Sequence, residues 1–175
     1  MRSIKPFLFC IILQLIILNT VLAEAPPSEP ILKIDTGMHT APIRRIGVDT
    51  SERFIVTGSH DKTIKLWEAD SGRLIKTLRP PVGEGNEGKI YAVAISPDGG
   101  HIAAGGWTRA KWDKSHSIYI FERDTGAITA RLTGLPNVIN HLSYSRDGRY
   151  LVACLFGKNG IRVYGVSGSG RYNPV

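Results

Sequence analysis

Cysteine is nearly absent: the 175 residues hold two, Cys10 and Cys154. Cys10 lies in an apolar run near the N-terminus, so Cys154 has no partner in the rest of the chain and a disulfide framework is excluded. Following Leu151-Val152-Ala153, Cys154 reads as a small buried apolar residue rather than a reactive thiol. Metal-ligand patterns are missing too. The five histidines are dispersed, with neither His-x-x-x-His nor Cys-x-x-Cys spacing. No Gly-x-Ser-x-Gly elbow and no phosphate-cradling loop occurs. Gly83-x-Gly85-x-x-Gly88 imitates a dinucleotide fingerprint, but Pro80-Pro81 precedes it and no helix follows. His60 and Asp61 are adjacent on a turn, where neighbouring side chains point apart. Nothing demands a catalytic explanation, and the expectation is no enzyme, no cofactor and no metal.

Charge is present but not concentrated. The formal net charge is +7, and without Arg2 and Lys5 it falls to about +5. Lysine and arginine are spread over turns with no basic block, which argues against nucleic acid as a partner.

The first residues belong to targeting. Arg2 and Lys5 form a basic start, residues 7–18 are almost wholly apolar, and Val21-Leu22-Ala23 offers a small-residue cleavage site. The stretch from Phe7 to Leu22 is 16 residues, shorter than the roughly 20 of a spanning helix. Residues 1–23 therefore read as a cleaved signal peptide. The expected location is periplasmic or extracellular, with membrane attachment only if the leader is uncleaved. Residues 24–30, Glu-Ala-Pro-Pro-Ser-Glu-Pro, form a Pro-rich linker.

What remains is a series of short apolar runs rich in β-branched residues and bounded by turn formers, so each reads as a strand. In 39–78 these are Ile43–Val48, a run from Phe54, Ile64-Lys65-Leu66-Trp67 and Leu74–Leu78. Four such strands make one antiparallel sheet that cannot bury its own faces. Copies follow. Ile43–Val48 recurs as Ile90–Ile95 and Ile139–Tyr144, and the turn Asp49-Thr50-Ser51-Glu52-Arg53 as Ser96-Pro97-Asp98-Gly99-Gly100 and Ser145-Arg146-Asp147-Gly148-Arg149. The step from Ile55 to Ile102 is 47 residues and from Ile102 to Leu151 it is 49. A period of that size with four strands per unit predicts β-propeller blades. The fold class is thus all-β, a partial propeller of about three four-stranded antiparallel blades over 31–166. A strand at 31–35 is expected to complete a neighbouring blade, and 167–175 is expected to be a flexible tail.

The motif Gly58-Ser59-His60-Asp61…Trp67-Glu68, with His39 at the entry, resembles a WD repeat. The likeness is to the secreted bacterial type of WD-repeat protein. It implies a hydrogen-bonded chain within the blade, formed by His39, Thr57 or Ser59, Asp61 and Trp67. Later units depart from the pattern, with Thr108 and Asn159 near the Asp position and Phe121 and Tyr164 in place of Trp.

Two connections exceed what a minimal propeller needs, 79–89 and 107–116. In propellers of this family both connection types emerge on one face, commonly the interaction face. Trp107, Arg109, Lys111, Trp112 and Lys114 have the composition of a partner-binding patch, where aromatics and arginine carry most of the energy. The alternative is that one tryptophan packs back on its blade.

The resemblance therefore implies an exported, non-catalytic scaffold for a protein partner, with self-association through open blade faces as a further expectation. A second reading is the propeller portion of a longer protein whose caspase-like peptidase domain is missing. A propeller lactonase would need acidic residues on the first strands, and Ile43–Val48 and Ile90–Ile95 contain none.

Overall fold

Runs such as Phe54-Ile55-Val56-Thr57 and Ile118-Tyr119-Ile120-Phe121 combine β-branched and aromatic side chains, which suit a pleated, half-buried surface better than a helix. In the computed structural model, which describes residues 37–110, 113–168 and 170–175, each becomes a strand. The described residues belong to one compact unit, Ile34–Val175. The signal peptide, the linker and the strand expected at 31–35 lie outside the described residues, as do Lys111 and Trp112.

Among the described residues twelve strands form three antiparallel sheets, each in sequence order. The first holds β1 (Ile43–Val48), β2 (Phe54–Ser59), β3 (Ile64–Glu68) and β4 (Leu74–Leu78). The second holds β5 (Ile90–Ile95), β6 (His101–Gly106), β7 (His116–Glu122) and β8 (Ile128–Leu135). The third holds β9 (Ile139–Tyr144), β10 (Tyr150–Leu155), β11 (Ile161–Val166) and β12 (Tyr172–Pro174). Among the described residues the one helical turn is a 3-10 segment, Gly157–Asn159.

Register is the same in every sheet. Ile55 pairs with Trp67, Ile102 with Phe121 and Leu151 with Tyr164. One strand over, Ile46 pairs with Thr57, Val93 with Ala104 and Leu142 with Ala153. A residue-for-residue equivalence between blades follows. The first turns also match: Glu52, Gly99 and Gly148 each donate a backbone N–H to the carbonyl three residues back, and all three have positive φ.

Because side chains alternate across a strand, each sheet has two faces to cover. Val56, Ile64 and Leu66 of the first sheet pack on Ile90, Val93, Ile102 and Phe121 of the second. Its other face sets Ala92, Ala103, Ile118 and Ile120 against Ile139, Leu142, Leu151 and Tyr164 of the third. Each fully buried Ile or Leu stabilises these layers by about 1.5–3 kcal/mol. Gly58 permits the first layer, since a Cβ there would lie 2.6 Å from Ile90 Cγ2 and 2.7 Å from Val93 Cγ1.

One expectation is corrected. The segment 167–175 is not a flexible tail, because Tyr172–Pro174 completes the third sheet as β12, pairing with β11 from Val166 to Tyr164. Tyr172 supplies the reason: its ring is buried in the core and its hydroxyl meets that of Tyr144 at 2.7 Å. Cys154 is half-buried rather than buried, on the face of the third sheet turned away from the second.

Candidate functional site

The entry segment before β1, the β2–β3 turn and the inner edges of β2 and β3 bring four predicted residues together. Asp61 accepts hydrogen bonds from three residues of its own blade, His39, Thr40 and Thr63. Oδ1 takes the Thr63 backbone N–H at 2.9 Å and the Thr63 hydroxyl at 2.5 Å. Oδ2 takes the Thr40 backbone N–H at 3.0 Å and His39 Nδ1 at 2.9 Å. An ionised carboxylate only accepts, so Nδ1 carries a proton, and in the Nδ1–H tautomer Nε2 is the acceptor. Thr57 accordingly donates its hydroxyl to His39 Nε2 at 2.7 Å and accepts the Trp67 indole N–H at 2.8 Å. The donors run in one direction, Trp67 to Thr57 to His39 to Asp61. Burial opposes ionisation of Asp61, but the hydrogen bonds from Thr63 and His39 outweigh it and hold the carboxyl below the usual aspartate range.

Ser59, the alternative to Thr57, is used elsewhere: its hydroxyl donates to the Ala41 carbonyl at 2.9 Å and accepts the Asp61 N–H at 3.1 Å. Thr63 is a member that sequence reasoning missed. Lys65, fully buried opposite Thr57 beside this network, escaped that reasoning too, and its Nζ donates to Thr77 Oγ1 at 3.1 Å.

Blades two and three replace the chain with simpler devices. Thr108 stands where Asp61 does, taking the Ser117 N–H at 3.1 Å and donating to the Ser117 carbonyl at 2.6 Å. At the Thr57 and Trp67 positions stand Ala104 with Phe121, and Ala153 with Tyr164. Acceptor and indole donor are lost together, so neither is left unmatched. Asn159 only closes its own turn, donating to the Phe156 carbonyl at 2.8 Å.

Above this network the two long connections meet. Gly88 N–H donates to the Trp107 carbonyl at 2.8 Å, and Trp107 N–H donates to the Lys89 carbonyl at 2.9 Å. Lys62 Nζ, on the β2–β3 turn, donates to the Gly83 carbonyl at 2.5 Å. The connections therefore share one face and brace each other. Of the expected patch, Trp107 is 39% exposed and edge-on to buried His116 at 6.1 Å, while Arg109 and Lys114 are exposed. His60 lies against Tyr91, their ring centroids 4.7 Å apart and their planes tilted by 46°, with the Arg44 guanidinium 5.7 Å from the same ring. Among the described residues, no group of three or more His, Cys, Asp or Glu is placed to hold a metal.

A family model described as WD domain, G-beta repeat, matches residues 32–68 and 72–120. The small ribosomal subunit protein RACK1y of Oryza sativa subsp. japonica is 38% identical over 85 residues, which is 47% of this chain and 24% of that protein. Eukaryotic translation initiation factor 3 subunit I of Saccharomyces cerevisiae is 32% identical over 128 residues, 66% of this chain and 35% of that protein. In structure, the chain resembles the crystal structure of RRP9 WD40 repeats with a TM-score of 0.61 at 22% identity, covering 77% of this chain and 38% of that one. The chain thus spans a quarter to somewhat over a third of the length of these three proteins. With three sheets in one register, the blade network of the first and these matches, the chain belongs to the WD-repeat β-propeller family.

Proposed function

We propose that the chain is a non-catalytic scaffold that holds a protein partner on the face formed by the β4–β5 and β6–β7 connections. The observation that carries this reading is the reciprocal pair of backbone hydrogen bonds between Lys89-side and Trp107-side residues. Two loops fixed to each other present Trp107 and Arg109 without the ordering cost that a loose loop incurs on binding. Support in kind comes from the relatives, since a ribosomal-subunit protein and an initiation-factor subunit are by name components of assemblies. The N-terminal sequence features support export, and a mature product beginning at Glu24 is the expected result of N-terminal sequencing.

The open sheet faces support a second copy as an additional partner. Ile43, Ile46 and Val48 are 49%, 63% and 49% exposed, whereas their counterparts Ile90, Val93 and Ile95 are buried beneath the first sheet.

The test is site-specific photocrosslinking in extracts of the source cell. A photoreactive residue at Arg109 should capture a discrete partner that the same residue at Arg146, in the β9–β10 turn, does not. Equal capture at both positions, or none at either, would overturn the reading.

A further inference from the structure

The two ends of the sheets treat their charges differently. At the end carrying the short first turns, four arginines are matched within their own turns, Arg53 with Asp49 at 3.3 Å, Arg73 with Glu68 at 3.3 Å, Arg123 with Asp124 at 2.9 Å and Arg149 with Asp147 at 2.6 Å, while Arg146 and Arg171 stand outside these pairs. At the end carrying the long connections, two acids are already occupied, Asp61 by His39 and Asp113 by Arg131. Arg109, Lys114 and Lys158 are exposed there and have no ion pair among the described residues. Lys89 binds only the neutral Asn86 Oδ1, at 2.8 Å, and Arg44 lies over Tyr91. Against them stand Glu84 and Glu87 of the β4–β5 connection. The positive field is felt locally. Burial first, then Arg44 and Lys89, hold His60 below the ordinary histidine value, and burial with Arg109 does the same to His116. Both imidazoles are thus held toward the neutral form.

We propose that this face takes an acidic, extended protein segment, its carboxylates meeting Arg109, Lys114 and Arg44 and an apolar side chain resting on Trp107. The proposal rests on the reading of the chain as an interaction module and adds the chemistry of the partner. Unmatched cations on braced loops attract a complementary segment over distance and fix its register on contact. An exposed indole edge beside them supplies an apolar anchor of the kind that carries binding energy. A polynucleotide is a poorer fit, since sequence-tolerant strand binding needs open aromatic faces for successive bases. Here Tyr91 is already covered by Arg44 and His60, and Trp107 abuts His116.

The experiment is selection of short random peptides displayed on phage against the full chain, followed by affinity measurement with the synthetic peptide selected. Enriched peptides should carry net negative charge and an aromatic or large aliphatic residue. The pair Arg109→Glu, Lys114→Glu should weaken the selected peptide about tenfold, and added salt should weaken it as well. The milder pair Arg109→Ala, Lys114→Ala should act in the same direction. Arg146→Glu with Arg171→Glu, at the opposite end, should leave binding unchanged. Enrichment of basic or uncharged peptides that the Arg109 and Lys114 variants still lose would overturn the acidic partner and keep the interaction face. No enrichment would overturn both. A single-stranded RNA oligonucleotide that displaces the selected peptide at lower concentration than the peptide itself would also overturn the proposal.

Discussion

Trp67 donates its indole N–H to Thr57 Oγ1 at 2.8 Å, across two strands that place the two side chains on one face of the first sheet. Each group needs the other, because a buried indole N–H or hydroxyl without a partner costs about 1–3 kcal/mol. Trp67→Phe and Thr57→Ala should each destabilise the chain within that range. Together they recreate the Phe121–Ala104 arrangement of the second sheet, so the double variant should lose less than the sum, by about 1 kcal/mol. Urea unfolding of the four proteins measures this, and additive losses would show that the two residues do not act as a pair.

Acid should loosen the first blade through Asp61. Its folded-state pKa is depressed, so the stability it contributes is present above the unfolded aspartate value and is lost as pH falls through the folded one. The melting temperature should therefore decline from about pH 4 downward. Asp61→Asn should start lower at neutral pH and decline less steeply with acid. Parallel curves for the two proteins would remove Asp61 from the acid response.

Glu52 occupies a position that glycine fills in the other two blades. Its φ is +54°, beside +74° at Gly99 and +72° at Gly148. A side chain in that region costs about 1–2 kcal/mol, and glycine returns part of this as extra freedom in the unfolded chain. Glu52→Gly should raise stability by about 0.5 kcal/mol, while Glu52→Ala, equally strained, should not. An equal gain from alanine would point to the lost charge instead.

The open faces should make the purified chain self-associate. Ile161 is 57% exposed where its counterpart Ile118 is fully buried, and Ile46 is 63% exposed where Val93 is covered. Exposed apolar surface of this kind marks an association site. Light scattering should report species larger than a monomer, and Ile46→Glu or Ile161→Glu should reduce them. A monodisperse monomer with a sharp unfolding transition would refute the expectation.

The strands were legible because the repeat places the same residue types at the same register three times, as Ile55, Ile102 and Leu151 illustrate. β12 was not, because it is three residues long, ends in Pro174 and follows a Gly-Ser run. What makes it a strand is the fit of Tyr172 against Tyr144, a contact between distant parts of the chain that no local pattern reports. In the network, His39, Asp61 and Trp67 stood out through the resemblance to a WD repeat, but the choice between Thr57 and Ser59 did not. Both lie on β2, and only the position of the imidazole decides which hydroxyl it meets. Thr63 escaped notice because one threonine in a turn carries no pattern, although its spacing of two from Asp61 is that of an Asx turn. Lys65 escaped because a lysine in a strand is ordinarily solvated.

The reciprocal bonds between Gly88 and Trp107 and between Trp107 and Lys89 have a kinetic consequence. Neither connection can lift from its blade while the other stays seated, so their amides form one opening unit. In deuterated solvent Gly88 and Trp107 should exchange at a common rate, although nineteen positions separate them in the chain. A ligand that grips only Trp107 would then slow exchange at Gly88, a site it never touches.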